Sequence, residues 1–484
     1  MIYEIQINNV KSQIMQPLPE QVIKALRSKL SAKLVGAFYA RQTNPYAGVK
    51  YFFTPKTQAF PTGMLHFVRD ILDKYTIQYE QVDCRPQVQL GKELLLHNII
   101  LRDYQQQAVD LAAQKQRGII RAGTGAGKSS IIAGIIAKLN VPTLLLIHKT
   151  DIFYQLVATL ERILQVPIGK IGDGNCQFEK INVGMIQTIA HVFDPKVKVL
   201  AKDNKILKEK SDVIKQFLSE VECVLVDEAH HVVADTFWEV MQGIPKALYR
   251  IGVTATAFRE DNMDIMLEGA LAKKFFDMSS SDLIDQKYLV PPIIYLYPFE
   301  HGRRQKGDPY GLVYSEEVVQ NMDRNNLICN LALKAKYTGK AVLIAVTQIE
   351  HGQILEGILQ KVDPTAIFVN GQSKSEVRQQ ILKELGQGVS RIVIATNIYS
   401  EGVDMPALSV LINVAGAASG IHSLQLLGRV LRTAPNKTKA WVVDIQDNGR
   451  FLNNHSKERG AIYQTEPRYQ LVPVKSIEEV NFND

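Results

Sequence analysis

The sequence predicts an α/β protein with two successive parallel-sheet domains preceded by a small basic α/β domain. Three observations predict it. From about Leu101, short strands, loops and helices alternate, and strands such as Thr143-Leu-Leu-Leu-Ile147, Cys223-Val-Leu-Val226 and Arg250-Ile-Gly-Val253 are apolar throughout, as parallel strands covered on both faces are. The alternation pauses at Tyr288-Leu-Val-Pro291-Pro292 and resumes with Ala341–Ala345, Ala366–Val369, Arg391–Ala395 and Val410–Val414, so there are two sets. Before both sets, residues 1–95 follow a different rhythm and carry 12 Lys and Arg against 7 Asp and Glu, a net of +5.

In chain order, the first domain is expected over residues 1–95. Leu18, Val22, Leu26 and Leu30 recur every fourth residue behind Pro19, the pattern of a helix with one apolar face. Val49–Phe53 reads as a strand, and Leu65, Val68 and Leu72 mark a helix over Met64–Tyr75. Residues 96–291 form the first parallel-sheet domain, 292–455 the second, and 456–484 a C-terminal helix and tail. Within the first sheet domain, residues 195–215 stand apart. Lys196, Lys198, Lys202, Lys205, Lys208, Lys210 and Lys215 crowd a polar stretch, read either as a solvated insertion or as a basic loop touching a phosphate backbone.

Composition narrows the classes. The 46% apolar and 22% charged content is that of a globular protein. No apolar run approaches the ~18–20 residues needed to span a bilayer, and Met1-Ile-Tyr-Glu-Ile lacks a basic signal-peptide start, so no membrane partner and a cytoplasmic location are expected. The net charge of +7 suits an anionic partner. Four cysteines without a Cys-x-x-Cys pair argue against a zinc ribbon or iron–sulfur cluster.

The chemistry concentrates in two motifs. Gly123-Thr124-Gly125-Ala126-Gly127-Lys128-Ser129 follows the apolar strand Gly118–Ala122 and opens a helix over Ser129–Leu139. Its glycines let backbone N–H groups converge on a phosphate, and the helix start adds partial positive charge. Lys128 is expected at the β/γ-phosphates of ATP, and the Ser129 hydroxyl on Mg²⁺. Asp227-Glu228-Ala229-His230 ends an apolar strand. Asp227 is expected to hold Mg²⁺, mostly through water, and Glu228 to act as general base on the attacking water. Upstream, Tyr104 and Gln105 precede a helix; Gln105 matches the donor–acceptor pattern of an adenine edge and Tyr104 could cover the base.

Gln425-Leu-Leu-Gly428-Arg429-Val-Leu-Arg432 resembles the arginine-finger segment of superfamily 2 helicases. Thr254-Ala-Thr256 resembles their segment coupling hydrolysis to nucleic-acid binding. Thr143–Gln155 and Gln187-Thr188 resemble segments contacting one strand's phosphates. Thr396–Asp404, with Glu401-Gly402-Val-Asp404, resembles the motif touching nucleic acid and the nucleotide ribose. These motifs occur in order over residues 101–432. Leu426, Ala440-Trp-Val-Val-Asp444-Ile, Asn454–Arg459 and Phe60-Pro-Thr-Gly63-Met-Leu are similar to the UvsW-like phage recombination helicases and their XPB-type relatives.

The resemblance implies two tandem RecA-like motor domains and a DEAH-box-type ATP hydrolase using ATP and Mg²⁺. It implies that Lys128, Glu228, Arg429 and Arg432 are catalytic. Gly402 and Asp404 would serve the nucleotide; Thr254, Thr256 and Gln425 would serve coupling. Gln187, Thr188 and Thr396 would contact nucleic acid; Lys198 and Lys202 join them from the basic stretch. The implied partner is branched or forked DNA, with the protein acting as a monomer in the cytoplasm, the host's if the protein is viral. An RNA-remodelling ATPase and an ATP-gated nucleic-acid clamp are the alternatives. Only residues 407–424 separate the Asp404 and arginine motifs, little room for a strand-separating hairpin, which leaves the N-terminal domain and the 195–215 insertion as wedge candidates.

Overall fold

The structure is a computed structural model describing all residues except 1, 34–47, 149, 195, 200, 229–233, 256–263, 303–307, 397–404, 415, 417–425 and 484. The chain divides into two compact units, Met1–Ala122 with Gly127–Asp277, and Gly123–Ala126 with Met278–Asp484. It has two RecA-like parallel sheets and a small N-terminal α/β layer.

The first unit contains that layer. Its sheet runs Ala59–Pro61, Lys11–Ile14, Tyr3–Ile7 and Tyr79–Asp83 in spatial order, antiparallel except for the last pair. Helices Glu20–Lys29 and Leu65–Lys74 cover it, with Val22, Leu26, Val68 and Leu72 buried. The layer is part of the first unit rather than a detached domain. Its core includes Met266 and packs on Trp238 and Ile265; Phe52 lies 5.1 Å from Trp238 between ring centroids. Asn9 donates to the carbonyls of Pro245 and Lys246, Arg117 donates to Asn9 O, and His66 Nε2 lies 2.9 Å from Glu268. Gly63 touches the Glu268–Gly269 backbone so closely that a side chain there would fall 2.6 Å from Gly269 O.

The large sheet of this unit orders its strands Asn175–Gln177, Ile168–Gly172, Ile181–Met185, Thr143–Ile147, Cys223–Asp227, Tyr249–Thr254, Arg117–Ala122 and Lys274–Met278. The pairs from Ile168–Gly172 through Arg117–Ala122 are parallel. Their apolar composition follows from helices on both faces.

Residues 201–220 correct the expected basic loop. They form the helix Ala201–Glu220, whose Leu207, Ile214 and Leu218 enter the core at helical spacing while Lys208, Lys210 and Lys215 stay exposed. Buried Asp203 accepts from Gly174 N at 2.6 Å and from the Thr188 hydroxyl at 2.8 Å, so the stretch is built into the sheet domain.

The second unit's sheet is parallel throughout: Ile367–Val369, Ile392–Thr396, Val342–Val346, Val410–Asn413, Ala440–Asp447, Pro292–Phe299 and Gln470–Pro473. The residues expected as a C-terminal helix and tail are integral to it. Helix Leu452–Gln464 packs on Ala440–Asp447, Gln470–Pro473 forms the edge strand, and Phe482 is buried in the core. Among the described residues, no helix is long and apolar enough to cross a membrane.

Candidate active site

Three parallel strands set the site. Cys223–Asp227 runs beside Tyr249–Thr254, with Asp227 level with Val253, and Tyr249–Thr254 runs beside Arg117–Ala122, with Thr254 level with Arg121. Asp227-Glu228, Thr254 and the loop after Ala122 therefore emerge at one carboxyl edge, where ligands of such sheets bind. The loop turns through Gly125 at φ 90° and Gly127 at φ 72°, backbone that side chains enter only at a cost. Gly127 N-caps helix Lys128–Leu139.

Lys128 Nζ lies 3.0 Å from Glu228 Oε1, and both side chains are mostly enclosed. Asp227 is half-buried at its strand end, and Glu228 N donates to Asp227 Oδ1 at 3.0 Å. Burial and the adjacent Glu228 charge push the Asp227 carboxyl up to about 7; Lys128 and that N–H oppose the rise without cancelling it. Glu228 itself holds φ 48°, an uncommon conformation for a residue with a side chain. For Asp227 the neighbouring Glu228 charge outweighs Lys128, an imbalance that a divalent cation would relieve. The Ser129 hydroxyl and Asp227 carboxylate are the hard oxygen donors Mg²⁺ favours, few enough to leave most of its coordination to water and phosphate.

Gln105 is 4% exposed. Its carbonyl accepts from Arg102 N at 2.9 Å, and its amide nitrogen stands 2.6 Å from where a Cβ on Gly127 would be, so it braces the phosphate loop. Tyr104, expected to cover the base, is 3% exposed here, and its hydroxyl accepts from Arg102 at 3.1 Å. Thr188, expected at a phosphate, is 2% exposed, and its hydroxyl donates to Asp203 at 2.8 Å. Gln187 donates to His148 O at 3.3 Å. Thr254 is fully buried at its strand end, and Thr396 ends Ile392–Thr396 at 8% exposure. Lys198 is exposed before the Ala201–Glu220 helix that contains Lys202.

In the second unit, residues 426–430 are helical, with Arg429 half-buried and Arg432 just beyond, in a bridge to Leu289. Gly428 lies against Thr124, which also belongs to this unit, and a side chain at 428 would collide with it. Thr256, Gly402, Asp404 and Gln425 lie outside the described residues, as do Ala229 and His230.

Sequence reasoning missed a buried ion network at the carboxyl end of Ala440–Asp447. Arg324, 0% exposed, donates to both Asp447 oxygens at 2.8 and 2.9 Å, and His301 Nε2 lies 2.8 Å from Asp447. Burial pushes the Asp447 carboxyl up, but Arg324, aided by the His301 hydrogen bond, outweighs it and holds the group at about 2. Three residues earlier, Asp444 accepts from Arg459 at 2.8 Å and from Tyr463 at 2.7 Å. An arginine on a polar helix gives no sign in sequence that it is enclosed.

Comparisons with known proteins agree with this geometry. Residues 98–259 match the family described as type III restriction enzyme, res subunit, and residues 323–434 match the helicase conserved C-terminal domain. The DNA 3'-5' translocase XPB2 of Sulfurisphaera tokodaii is 25% identical over 400 residues, covering 76% of this chain and 86% of the relative. The ATP-dependent DNA helicase uvsW of Enterobacteria phage T4 is 24% identical over 369 residues, covering 71% and 68%. For the fold, the restriction-modification enzyme LlaBIII bound to DNA superposes with a TM-score of 0.55 at 16% identity, over 79% of this chain and 32% of that one. Both helicase domain models are thus matched in order on two parallel-sheet units, and the chain is similar to superfamily 2 helicases of the UvsW and XPB type.

Proposed function

We propose that this protein is an ATP-dependent DNA helicase and translocase that remodels branched DNA (forks, four-way junctions and displacement loops) in recombination, repair or replication, acting as a monomer. The observation that supports it most is the Lys128–Glu228 pair beside a carboxyl held at about 7 on Asp227, at the end of a phosphate-binding loop. Such perturbed acids mark a site built for charge that arrives with a ligand. Lys128 exchanges Glu228 for the β/γ-phosphates of ATP, and Glu228, so released, accepts the proton of the attacking water. Ser129 and Asp227 would hold Mg²⁺, which supplies charge neutralisation on the phosphates. Gln105 keeps the loop shaped, Arg429 and Arg432 stabilise the γ-phosphate's transition-state charge, and Thr254 with Thr256 and Gln425 relays the nucleotide state to the nucleic-acid segments. Gly402 and Asp404 take the ribose side. Gln187, Thr188, Thr396, Lys198 and Lys202 serve the DNA backbone.

The names of the XPB2 and uvsW relatives, both DNA motors, favour DNA over RNA. The deciding experiment measures ATPase and unwinding on single-stranded, duplex, forked and four-way DNA with matched RNAs. Forked and four-way DNA should be unwound best. Stimulation by RNA equal to that by DNA selects the RNA-remodelling alternative, and ATPase without displacement of a triplex strand selects a clamp.

A further inference from the structure

The second unit carries an aromatic cluster that the ATPase chemistry does not use. Tyr310, on the short helix Tyr310–Tyr314, is 39% exposed, and Phe451, just before helix Leu452–Gln464, is 37% exposed. Their ring centroids lie 5.9 Å apart at 85°, and the His455 ring lies 5.5 Å from Tyr310 at 65°. The Arg450 guanidinium stands 4.7 Å over the Phe451 ring. Phe451 adopts φ 63°, a conformation bulky residues rarely enter, and it does so while presenting its ring to solvent.

The cluster is fixed from beneath. Tyr314 and Leu452 are buried with Val313, Val318 and Val319 in a small core of their own. The Tyr314 hydroxyl bonds to the Thr347 hydroxyl, and a His455 ring nitrogen lies 3.1 Å from Gly416 O. His301 N donates to Asn448 Oδ1 at 2.8 Å, tying the loops after Pro292–Phe299 and Ala440–Asp447 together above the Arg324–Asp447 pair. The network missing from the sequence reading is thus the footing of this surface.

Its place in the sheet gives it a partner. All strands of this sheet are parallel, so the loops carrying Tyr310 and Phe451 emerge at the same carboxyl edge as Thr347 and Thr396. A hydrophobic protein partner would call for an apolar surround. Here the rings are accompanied by a guanidinium and an imidazole, and Asn448, Asn453 and Asn454 beside them are exposed. Partly exposed rings flanked by cationic and amide groups are what an unpaired nucleobase recognises, by stacking on a ring with the backbone phosphate near the cation.

We propose that Tyr310, Phe451 and His455, with Arg450, form a stacking platform for an unpaired base of the strand on which the second unit acts. This rests on the nucleic-acid reading above. A platform of this kind holds a base without reading its identity, and its stacking contribution is one that salt does not loosen.

The test uses the full-length protein and fluorescent single-stranded 20-mers, one with normal bases and one with abasic sugars across its middle. Phe451→Ala and, because that site has a special backbone, Tyr310→Leu as an independent helix variant are compared by affinity across a salt series. Each should weaken the normal strand by about tenfold, the effect of one lost stacking contact. The slope of log affinity against log salt should not change, since no phosphate contact is lost. Phe451→Trp should restore binding, and the abasic strand should be bound equally by all proteins. Undiminished binding of the normal strand by both variants overturns the platform, as does an equal loss on the abasic strand. A wild-type protein that binds neither strand overturns instead the nucleic-acid reading beneath it.

Discussion

Both large sheets end a central buried strand in acidic residues, and the two pairs are treated in opposite ways. Asp227 and Glu228 end a strand of the first unit with Lys128 paired to Glu228, and the Asp227 carboxyl rises to about 7. Asp444 and Asp447 close a strand of the second unit with Arg459, Tyr463, Arg324 and His301 turned onto them, and the Asp447 carboxyl falls to about 2. Burial alone pushes both upward; the number of donors decides the outcome. A buried acid that the protein itself satisfies is part of the scaffold. An acid such as Asp227, whose carboxyl its surroundings raise rather than lower, is suited to meet a cation that arrives with a ligand, and that difference separates the chemical site from the scaffold.

Substitutions can break or sharpen the contrast. The largest effect is expected at the first pair: Lys128→Ala and Glu228→Gln should each lower ATP turnover by on the order of 10³-fold with the melting temperature nearly unchanged, measured by steady-state phosphate release and calorimetry. Normal turnover in the purified Glu228→Gln protein would falsify its role as base. At the second pair the outcome should reverse. Arg324→Met leaves Asp447 buried without its main partner and should cost about 3–5 kcal/mol of stability in urea unfolding. A stability loss below about 1 kcal/mol would mean that the network is not the footing described.

A pH series sharpens the contrast further. Because the folded pKa of Asp227 lies above its unfolded value, the folded state holds the extra proton between about pH 4 and 7, and this contribution to stability is lost as pH rises through that window. Asp227→Asn should therefore raise the melting temperature at pH 8 in the absence of divalent cations. Asp447 has the opposite sign: its contribution is present above pH ~4 and is lost as pH falls toward 2, so Asp447→Asn should destabilise at neutral pH. Matching signs for the two variants would erase the distinction. The smallest effect concerns the outer face of Ala201–Glu220. Lys208→Gln, Lys210→Gln and Lys215→Gln combined should flatten the salt dependence of single-strand binding by no more than about 2 in slope, with stability unchanged.

What was legible in the sequence was local. The glycine spacing of residues 123–129 states its own turn, and the apolar strands Thr143–Ile147 and Val410–Asn413 state their burial, because neighbours in sequence impose both. Contacts between distant residues were not legible. Thr188 read as a phosphate contact because nothing near it showed that Asp203, fifteen residues on, takes its hydroxyl. The lysines of Ala201–Glu220 concealed the apolar spacing of Leu207, Ile214 and Leu218. The burial of Tyr104 depends on what packs against it and was not visible in its neighbours, and Arg324 gave no sign of its enclosure for the same reason.

The seating of the N-terminal layer has a consequence for how the chain is made. The layer is synthesised before the large sheet on which it sits, yet its core is finished by Met266, and Asn9 donates to the carbonyls of Pro245 and Lys246. During synthesis this layer therefore waits, with Phe52 and its apolar floor uncovered, until the helix Asp264–Ala270 has left the ribosome. A nascent chain arrested before that helix is the form of this protein most exposed to aggregation and proteases, and the layer completes itself only together with the sheet that binds the nucleotide.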